Sequence, residues 1–387
     1  MITFRADMKI KKSLVFTLVL VAIAASIHIY ANDSPRVENQ YSLGIYPVFS
    51  RILRYTFGWL PFSVGDVLYG LIIFWLMCKI VRWIKVLFKK RPSLLAPMGE
   101  KMEKNEAKFA WGWKFRGFGA GFLKSTRILI VTYIIFNLFW GINYNRMGIA
   151  SQLQLKMEKY NAEDVKMINA LLLDKVNTCK QVLINQHAGY PTNNQLFLKA
   201  ATAYQQAEKT YPFLKYNPVS LKPSLWSWLG NYMGFTGYYN PFTGEAQVNT
   251  LVPKFLQPFT TCHEVAHQLG YAKEMEANFV GYLSATASKD TLLHYSVYLD
   301  MFMYSNRNLF ATDSVSANEY RKQLSPAVIN DLKEWRAFNN KHRNPIEPVF
   351  RWIYGKYLQG NQQPKGVLSY DEVTGFIIAY YKKYGKI

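Results

Sequence analysis

The segment His263-Glu264-Val265-Ala266-His267 places two histidines four positions apart, with a glutamate directly after the first. Four residues advance an α-helix by about 400°, so both imidazoles would project from one face, one turn apart. Two imidazole nitrogens in that arrangement can occupy two corners of a tetrahedral zinc site. Glu264 would lie about 100° around the helix, outside the ligand set but beside a water on the metal, where it can act as a general base.

A catalytic zinc site takes a third protein ligand and leaves its fourth position to water. Pro258 suits a first helical position and Gly270 suits the position just past a helix end, which predicts a metal helix of about twelve residues. The next helix would begin at Glu274, our predicted third ligand. Asn278 shares its face and can accept the outer N–H of a ligating histidine. Glu276, on a different face, is the rival ligand.

The residues HEVAH, followed by a helix that begins EMEAN, resemble the zincin metallopeptidases, and specifically their glutamate-liganded branch. The resemblance implies that His263, His267 and Glu274 bind Zn²⁺, that Glu264 is the catalytic base and that Asn278 supports a ligand. Many members of that branch have aspartate where this chain has Asn278. The whole chain is also similar to an uncharacterised family of bacterial membrane proteins with three spans before such a domain.

Two further features are expected around the motif. The strand from Glu245 to Asn249 precedes the metal helix, as the substrate-binding edge strand does in zincins. It would either bind an extended peptide by main-chain hydrogen bonds or be a plain hairpin strand. Candidates to stabilise a tetrahedral oxyanion lie on the following helix: His294, Tyr295 and Tyr298.

Cysteine usage argues against a disulfide framework. The chain has three cysteines, Cys78, Cys179 and Cys262, with no Cys-x-x-Cys pair. Cys262 adjoins the motif but would leave the helix on another face than His263, so we interpret it as a packing residue.

The formal net charge of +21 raises nucleic acid as a possible partner. Much of the excess lies between Arg82 and Arg127, flanked by apolar runs, and this placement is typical of a cytoplasmic topology signal. We therefore expect a lipid bilayer and no nucleic acid among the partners.

Three apolar runs predict membrane segments, at residues 13–30, 64–84 and 127–142. The first follows a basic terminus and fits an uncleaved anchor better than a signal peptide. The third is short, and a buried core helix is its alternative. The segment 46–62 mixes aromatic residues with Arg51 and Arg54, which suits either an amphipathic helix in the interface or an ordinary packed helix.

Charge placement predicts the orientation. A basic N-terminus stays in the cytoplasm, so residues 32–63 lie outside, residues 85–124 form a basic cytoplasmic loop, and everything after Asn143 is outside again. We expect a membrane region at 1–144 with about three transmembrane helices, and an extracytoplasmic domain at 145–387.

The domain at 145–387 is expected to be mainly α with a small β-hairpin, an α+β zincin-like domain. Helical spacing predicts helices at residues 162–183 and 196–210, and further ones after Glu274. Aromatic and β-branched residues flank Asn240-Pro241-Phe242-Thr243-Gly244, which predicts a hairpin turn.

These observations predict a zinc metallopeptidase anchored in the inner (cytoplasmic) membrane, with its domain on the periplasmic side and a peptide or protein as substrate. The alternative is a non-catalytic zinc-binding envelope protein that binds a protein or cell-wall partner. That alternative requires a closed metal shell, completed by Glu276 or Cys262.

Overall fold

The computed structural model describes residues 2–88, 123–187 and 189–387. The described chain is mainly α-helical with one small sheet, as the sequence predicts. Of the basic loop predicted at 85–124, residues 89–122 lie outside the described residues.

The helices alternate with short connections, and one sheet interrupts them. The α-helices are α1 (Ile2–Ala31), α2 (Ser34–Arg36), α3 (Tyr46–Phe57), α4 (Val64–Phe88), α5 (123–139), α6 (Gly148–Gln152), α7 (Ala162–Asn185), α8 (Asn193–Glu208), α9 (Ser227–Met233), α10 (Gln257–Gln268), α11 (Glu274–Ala287), α12 (Thr291–Thr312), α13 (Ser314–Lys322), α14 (Pro326–His342), α15 (Glu347–Gly360) and α16 (Val373–Tyr384). A π-helix covers Val37–Ile45, and 3₁₀ segments cover Gly141–Asn145, Pro212–Leu214 and Gly366–Glu372.

The chain forms two compact units. The first contains Met1–Asn32 and Val67–Leu138, and the second contains Asp33–Asp66 and Phe139–Ile387. The segment Asp33–Asp66 therefore belongs to the unit that carries the HEVAH motif, although the sequence analysis grouped it with the membrane region.

Two helices of the described residues are long and apolar enough to cross a membrane, over Ser13–Ala31 and Val64–Arg82. Only 17% and 11% of these segments are buried, whereas the core helix of a soluble protein would be mostly buried. The third predicted run is helical as α5, but it is not among these two spans.

Capping residues explain where several helices of the second unit begin. Asn161 and Asp164 form a capping box at the start of α7, and Thr192 and Gln195 form another at α8. Both helices predicted at 162–183 and 196–210 are confirmed; α7 starts at the predicted residue, and α8 starts three residues earlier, at Asn193.

Helix α10 lies at the centre of the second unit. All of its residues are buried, from Gln257 to Gln268. It packs between α11, α12 and the sheet, while α12 packs along α7. The predicted metal helix is thus confirmed as a helix, and the protein interior surrounds it on every side.

The sheet has the order β1-β3-β2, with β1 at Leu221–Pro223, β2 at Gly237–Asn240 and β3 at Glu245–Val248. Strand β3 pairs in parallel with β1 and antiparallel with β2. The predicted hairpin and its turn are confirmed, and of the two alternatives for the strand from Glu245, the substrate-binding edge strand is excluded. Both of its edges are already paired, so only β1 and β2 offer free edges within this sheet.

Candidate metal centre

The turn between α10 and α11 brings the two helices together within a few residues. Gly270 ends the first helix with φ +88°, in the left-handed region, and its amide donates to the His267 carbonyl at 2.9 Å. A Cβ at this position would lie 3.0 Å from the Tyr46 ring, so both backbone and space call for glycine. Helix α11 then starts at Glu274, at the predicted position.

The predicted ligand atoms converge. Glu274 Oε2 lies 3.2 Å from His263 Nε2 and 3.5 Å from His267 Nε2. One atom from each of the three side chains lies within 4.8 Å of the others. Two imidazoles and one carboxylate at this spacing match the donor set of a catalytic zinc site.

The cluster is deep in the protein but not sealed. About a tenth of each imidazole remains accessible, 9% of each side chain, against 5% for Glu274. A site that must admit water and substrate needs such residual access to its ligand side chains.

The rival ligands point elsewhere. The Glu276 carboxylate packs on Gly148, where a Cβ would lie 2.0 Å from its Oε1, and it interacts with the charges of Lys273 and Arg146. Cys262 is fully buried, and burial raises the pKa of its thiol to about 12. Among the described residues, neither joins the ligand cluster.

The orientation of His267 is set by the turn that follows it. Its Nδ1 lies 2.7 Å from the Tyr271 carbonyl oxygen, so the N–H on this nitrogen donates there and leaves Nε2 to face Glu274. Tyr271 is held in turn, because its hydroxyl donates to Gln152 at 2.7 Å and the Arg146 guanidinium lies 4.5 Å from its ring centroid. No residue pattern in the sequence indicated this carbonyl as the partner of His267.

His263 is held mainly by packing. The Tyr370 ring stacks on it, with centroids 6.2 Å apart and planes at 17°. Asn278 donates to the Tyr370 carbonyl at 3.3 Å. Burial lowers the pKa of His263, while Glu274 and, more weakly, Asn278 oppose the shift. His263 Nδ1 makes no hydrogen bond to any described residue, so the supporting role of Asn278 toward it stays a prediction.

Glu274 is held by residues from the C-terminal part of the chain. Its amide donates to Gln363 Oε1 at 2.9 Å, and its Oε1 accepts a hydrogen bond from the Tyr354 hydroxyl at 2.7 Å. The Tyr354 and Tyr370 hydroxyls lie 3.3 Å apart. None of these three residues was a sequence candidate, because no local pattern connects them to the motif.

Glu264 lies outside the ligand cluster and packs on strand β2. A Cβ on Gly237 would lie 2.6 Å from Glu264 Oε1. The Glu264 carboxylate therefore occupies the space that a side chain at position 237 would need. Burial, reinforced by the charge of Glu274 and opposed by His267, raises the pKa of Glu264 to about 8.

The electrostatics of the cluster favour a cation. Burial raises the pKa of Glu274, but the two histidines outweigh it and hold that pKa well below its usual range. Burial likewise lowers the pKa of His267, and the charge of Glu274 overrides it to raise that pKa to about 9. A buried ionised carboxylate needs a positive partner, and a divalent metal ion between the same atoms would supply it.

Three donors from α3 converge on the C-terminal end of the metal helix. The Gln268 carbonyl accepts hydrogen bonds from Tyr46 Oη at 3.1 Å, Ser50 Oγ at 3.0 Å and Arg54 Nη1 at 3.3 Å. A helix end leaves its last carbonyls unsatisfied, so these donors fix the position of the end that carries His267. We call Tyr46, Ser50 and Arg54 the α3 clamp.

The predicted oxyanion donors are elsewhere. His294 Nε2 pairs with the Ser288 carbonyl at 2.7 Å, Tyr295 donates to Asp331, and the Tyr298 ring packs on Tyr282. The prediction that they stabilise an oxyanion is wrong, because these side chains contact residues outside the ligand cluster. By contrast, the Tyr354 hydroxyl contacts Glu274, and the Tyr370 hydroxyl lies 3.3 Å from that of Tyr354.

A protein-family model described as "Protein of unknown function (DUF3810)" matches residues 41–378. No curated protein and no solved structure matches the chain. The matched range contains the ligand cluster, the α3 clamp and the three C-terminal residues that hold Glu274.

Proposed function

Since the chain belongs to this family of proteins of unknown function (DUF3810), we propose its function from its own residues: it is a membrane-anchored zinc metallopeptidase. The observation that carries the proposal is the convergence of His263, His267 and Glu274, with Glu264 beside them and outside the ligand set. The fold around it supports a zincin-like domain, because a hairpin precedes the helix of the motif and the third ligand starts the next helix.

Each residue has a distinct role in the proposed reaction. His263, His267 and Glu274 would hold the metal, and bound Zn²⁺ would act as a Lewis acid that makes water more acidic. Glu264 takes a proton from the attacking water and delivers it to the leaving amine. Its surroundings support this role, since a carboxylate in a water-poor setting binds a proton more readily than one in solvent.

Strand β2 is the place where a peptide substrate would bind. It is an edge of the sheet, and its first residue, Gly237, lies against the Glu264 carboxylate. An extended peptide that pairs with β2 would run past the base, with its main chain held by hydrogen bonds. This assignment replaces the central strand β3, which has no free edge.

Two apolar helices and the charge pattern support the location. The spans at Ser13–Ala31 and Val64–Arg82, a basic terminus and a basic segment at 85–124 support a topology in which both basic regions are cytoplasmic. With α5 as the third crossing, the domain with the metal centre faces the periplasmic side of the inner membrane in this proposal.

The alternative, a zinc-binding envelope protein without activity, requires four protein ligands. Glu276 and Cys262 were its candidates, and within the described residues the cluster contains three ligands and neither of these. The partial exposure of both imidazoles also supports an open coordination position.

The test compares the full chain with Glu264→Gln, purified in detergent. We measure the zinc content per chain and the hydrolysis of a casein digest, followed by mass spectrometry. We expect the variant to keep its zinc and to lose about 100-fold or more of the rate. Hydrolysis by the variant at the wild-type rate would refute the role of Glu264.

Two further variants test the third ligand. Glu274→Gln should lower the zinc content, because it removes a ligand oxygen. Glu276→Gln is the matched control, since it also removes one buried carboxylate, and it should leave the zinc content unchanged. An X-ray absorption spectrum with four protein ligands and no water would favour the non-catalytic alternative.

A further inference from the structure

Helix α3 has a buried polar face and an exposed apolar face. Tyr46, Ser50 and Arg54 are buried, with Arg54 only 3% exposed. The opposite face carries large exposed apolar side chains, which we call the α3 outer face: Ile45, Val48, Ile52 and Tyr55, each more than half exposed.

The spacing places these two sets on opposite sides. The clamp residues recur every four positions, and the outer-face residues recur at intervals of three and four, offset by about half a turn. A helix at the surface of a water-soluble domain shows the reverse arrangement, with its apolar stripe toward the core. The inner face of α3 is polar because the hydrogen-bond donors of the α3 clamp bind the Gln268 carbonyl.

The position of α3 in the chain indicates what covers the outer face. It lies between the apolar segments Ser13–Ala31 and Val64–Arg82, and residues 58–63 alone join it to the second. An extended chain covers at most about 3.6 Å per residue, so the end of α3 lies within about 25 Å of the start of that segment.

The side chains around the outer face have the chemistry of a lipid–water boundary. Trp59, just past the helix, is 75% exposed, and Tyr55 lies one turn before it. Tryptophan and tyrosine concentrate at headgroup level. Arg51 is exposed beside the apolar stripe and can pair with anionic lipid headgroups.

A second exposed pair lies where α4 begins. The Leu225 amide donates to Asp66 Oδ2 at 2.7 Å, and Asp66 is in the first turn of α4. Leu225 and Trp228 are both more than half exposed. Apolar and aromatic side chains are therefore exposed beside the point at which the chain starts its apolar helix.

We infer that α3 lies in the lipid–water interface of the bilayer, with its outer face in the acyl boundary and its clamp face on the metal helix. A helix is about 10–12 Å in diameter, so this placement holds the end of α10 roughly one helix diameter from the lipid. The inference concerns a lipid surface and does not depend on peptidase activity.

The experiment uses the full chain in vesicles of phosphatidylethanolamine and phosphatidylglycerol. Nitroxide labels are attached to Val48→Cys or Ile52→Cys in a Cys78→Ala background, because the other two cysteines are buried. Spin relaxation by oxygen, which concentrates in lipid, is compared with relaxation by a water-soluble nickel complex. We expect oxygen to dominate at both positions.

The matched control is Val315→Cys on α13, which replaces an equally apolar residue that is 72% exposed on the same unit. There the nickel complex should dominate. Nickel access at positions 48 and 52 equal to that at 315 would show a face in water and overturn the inference. Labels shielded from both reagents would show a protein partner or a second copy of the chain, and would also overturn it.

Discussion

At the scale of single residues, each proposed ligand of the metal centre is positioned by a different kind of contact. His267 is oriented by a backbone carbonyl, Glu274 by a tyrosine hydroxyl and His263 by a stacked ring. Contacts of this kind fix the ring and carboxylate orientations before the metal binds, which raises its affinity.

Tyr354→Phe should weaken zinc binding about tenfold, because it removes the hydrogen bond to Glu274 Oε1 and leaves the ring in place. Zinc affinity is measured by competition with a chelator of known affinity. The control is Tyr211→Phe, which removes a hydroxyl bonded to another tyrosine, Tyr380, outside the cluster. Equal affinities for the two variants would contradict the role of Tyr354.

Gly237→Ala should lower kcat about 100-fold with little change in zinc content. The new Cβ would lie 2.6 Å from Glu264 Oε1, so the carboxylate must move, and displacement of a catalytic group by about 1 Å costs roughly this factor. Gly189→Ala is the control, because nothing lies within 4 Å of its Cβ position. A normal kcat would mean that the present position of Glu264 is not the working one.

The sequence was sufficient for the residues whose relation is local. His263, Glu264 and His267 occupy one helix, and Glu274 begins the next, so helical geometry and one turn determine their relation. Tyr354 and Gln363 lie 80 and 89 positions from Glu274, and only the tertiary fold brings them there. Helix α15 carries no motif that would have indicated this contact.

At the scale of elements, the hairpin was predictable and its place in the sheet was not. The turn at Asn240–Gly244 is a local signal, and Gly244 adopts the expected left-handed φ of +66°. Strand β1 is three residues long and ends in Pro223, so it lacks a strand pattern of its own. Its pairing with β3 makes that strand central, a long-range effect that the alternation of residues cannot show.

A buried ion pair links the π-helix to the chain just after α5. Arg146 Nη2 lies 2.7 Å from Glu38 Oε1, and its Nη1 donates to the Gly270 carbonyl at 3.1 Å. The pair therefore supports the turn that supplies the carbonyl partner of His267. Burial raises the pKa of Glu38, but Arg146, Gly148 and Gln152 outweigh it and leave that pKa below its ordinary value of 4.5.

Acid should therefore destabilise the fold through Glu38. A carboxyl whose pKa is lowered by folding stabilises the protein fully above its unfolded value, and this contribution is lost as pH falls through the folded value. We expect the midpoint of thermal unfolding in detergent to fall between pH 6 and about pH 3.5, and to fall less in Glu38→Gln. Equal losses in the two proteins would assign the acid sensitivity to other carboxyls.

At the scale of the whole molecule, composition was sufficient to identify the apolar helices. It did not show that the segment between them belongs to the unit with the metal centre. Asp33–Asp66 belongs to the domain because of contacts that no local pattern announces. The Glu245 side chain, for example, accepts hydrogen bonds from the Val64 and Gly65 amides at 3.1 and 2.6 Å. The local sequence shows only that this segment is flanked by apolar runs.

The proposed orientation predicts opposite reactivity for two engineered cysteines in a Cys78→Ala background. Val315→Cys, in the domain, should react with a membrane-impermeant maleimide in cells whose outer envelope is removed. Ser93→Cys, in the basic segment, should react only after the inner membrane is permeabilised. Labelling of both cysteines before the inner membrane is permeabilised would refute the orientation. The basic segment could then act outside the cytoplasm.

The supports of the metal centre come from opposite ends of the chain. The α3 clamp is synthesised before the metal helix, whereas Tyr354, Gln363 and Tyr370 are synthesised about 80 residues or more after Glu274. A nascent chain that has just exposed its two histidines therefore lacks the groups that hold Glu274 in place. Under the proposed function, the centre becomes competent only after residues 354–370 have been translated, which would protect neighbouring unfolded chains during biogenesis.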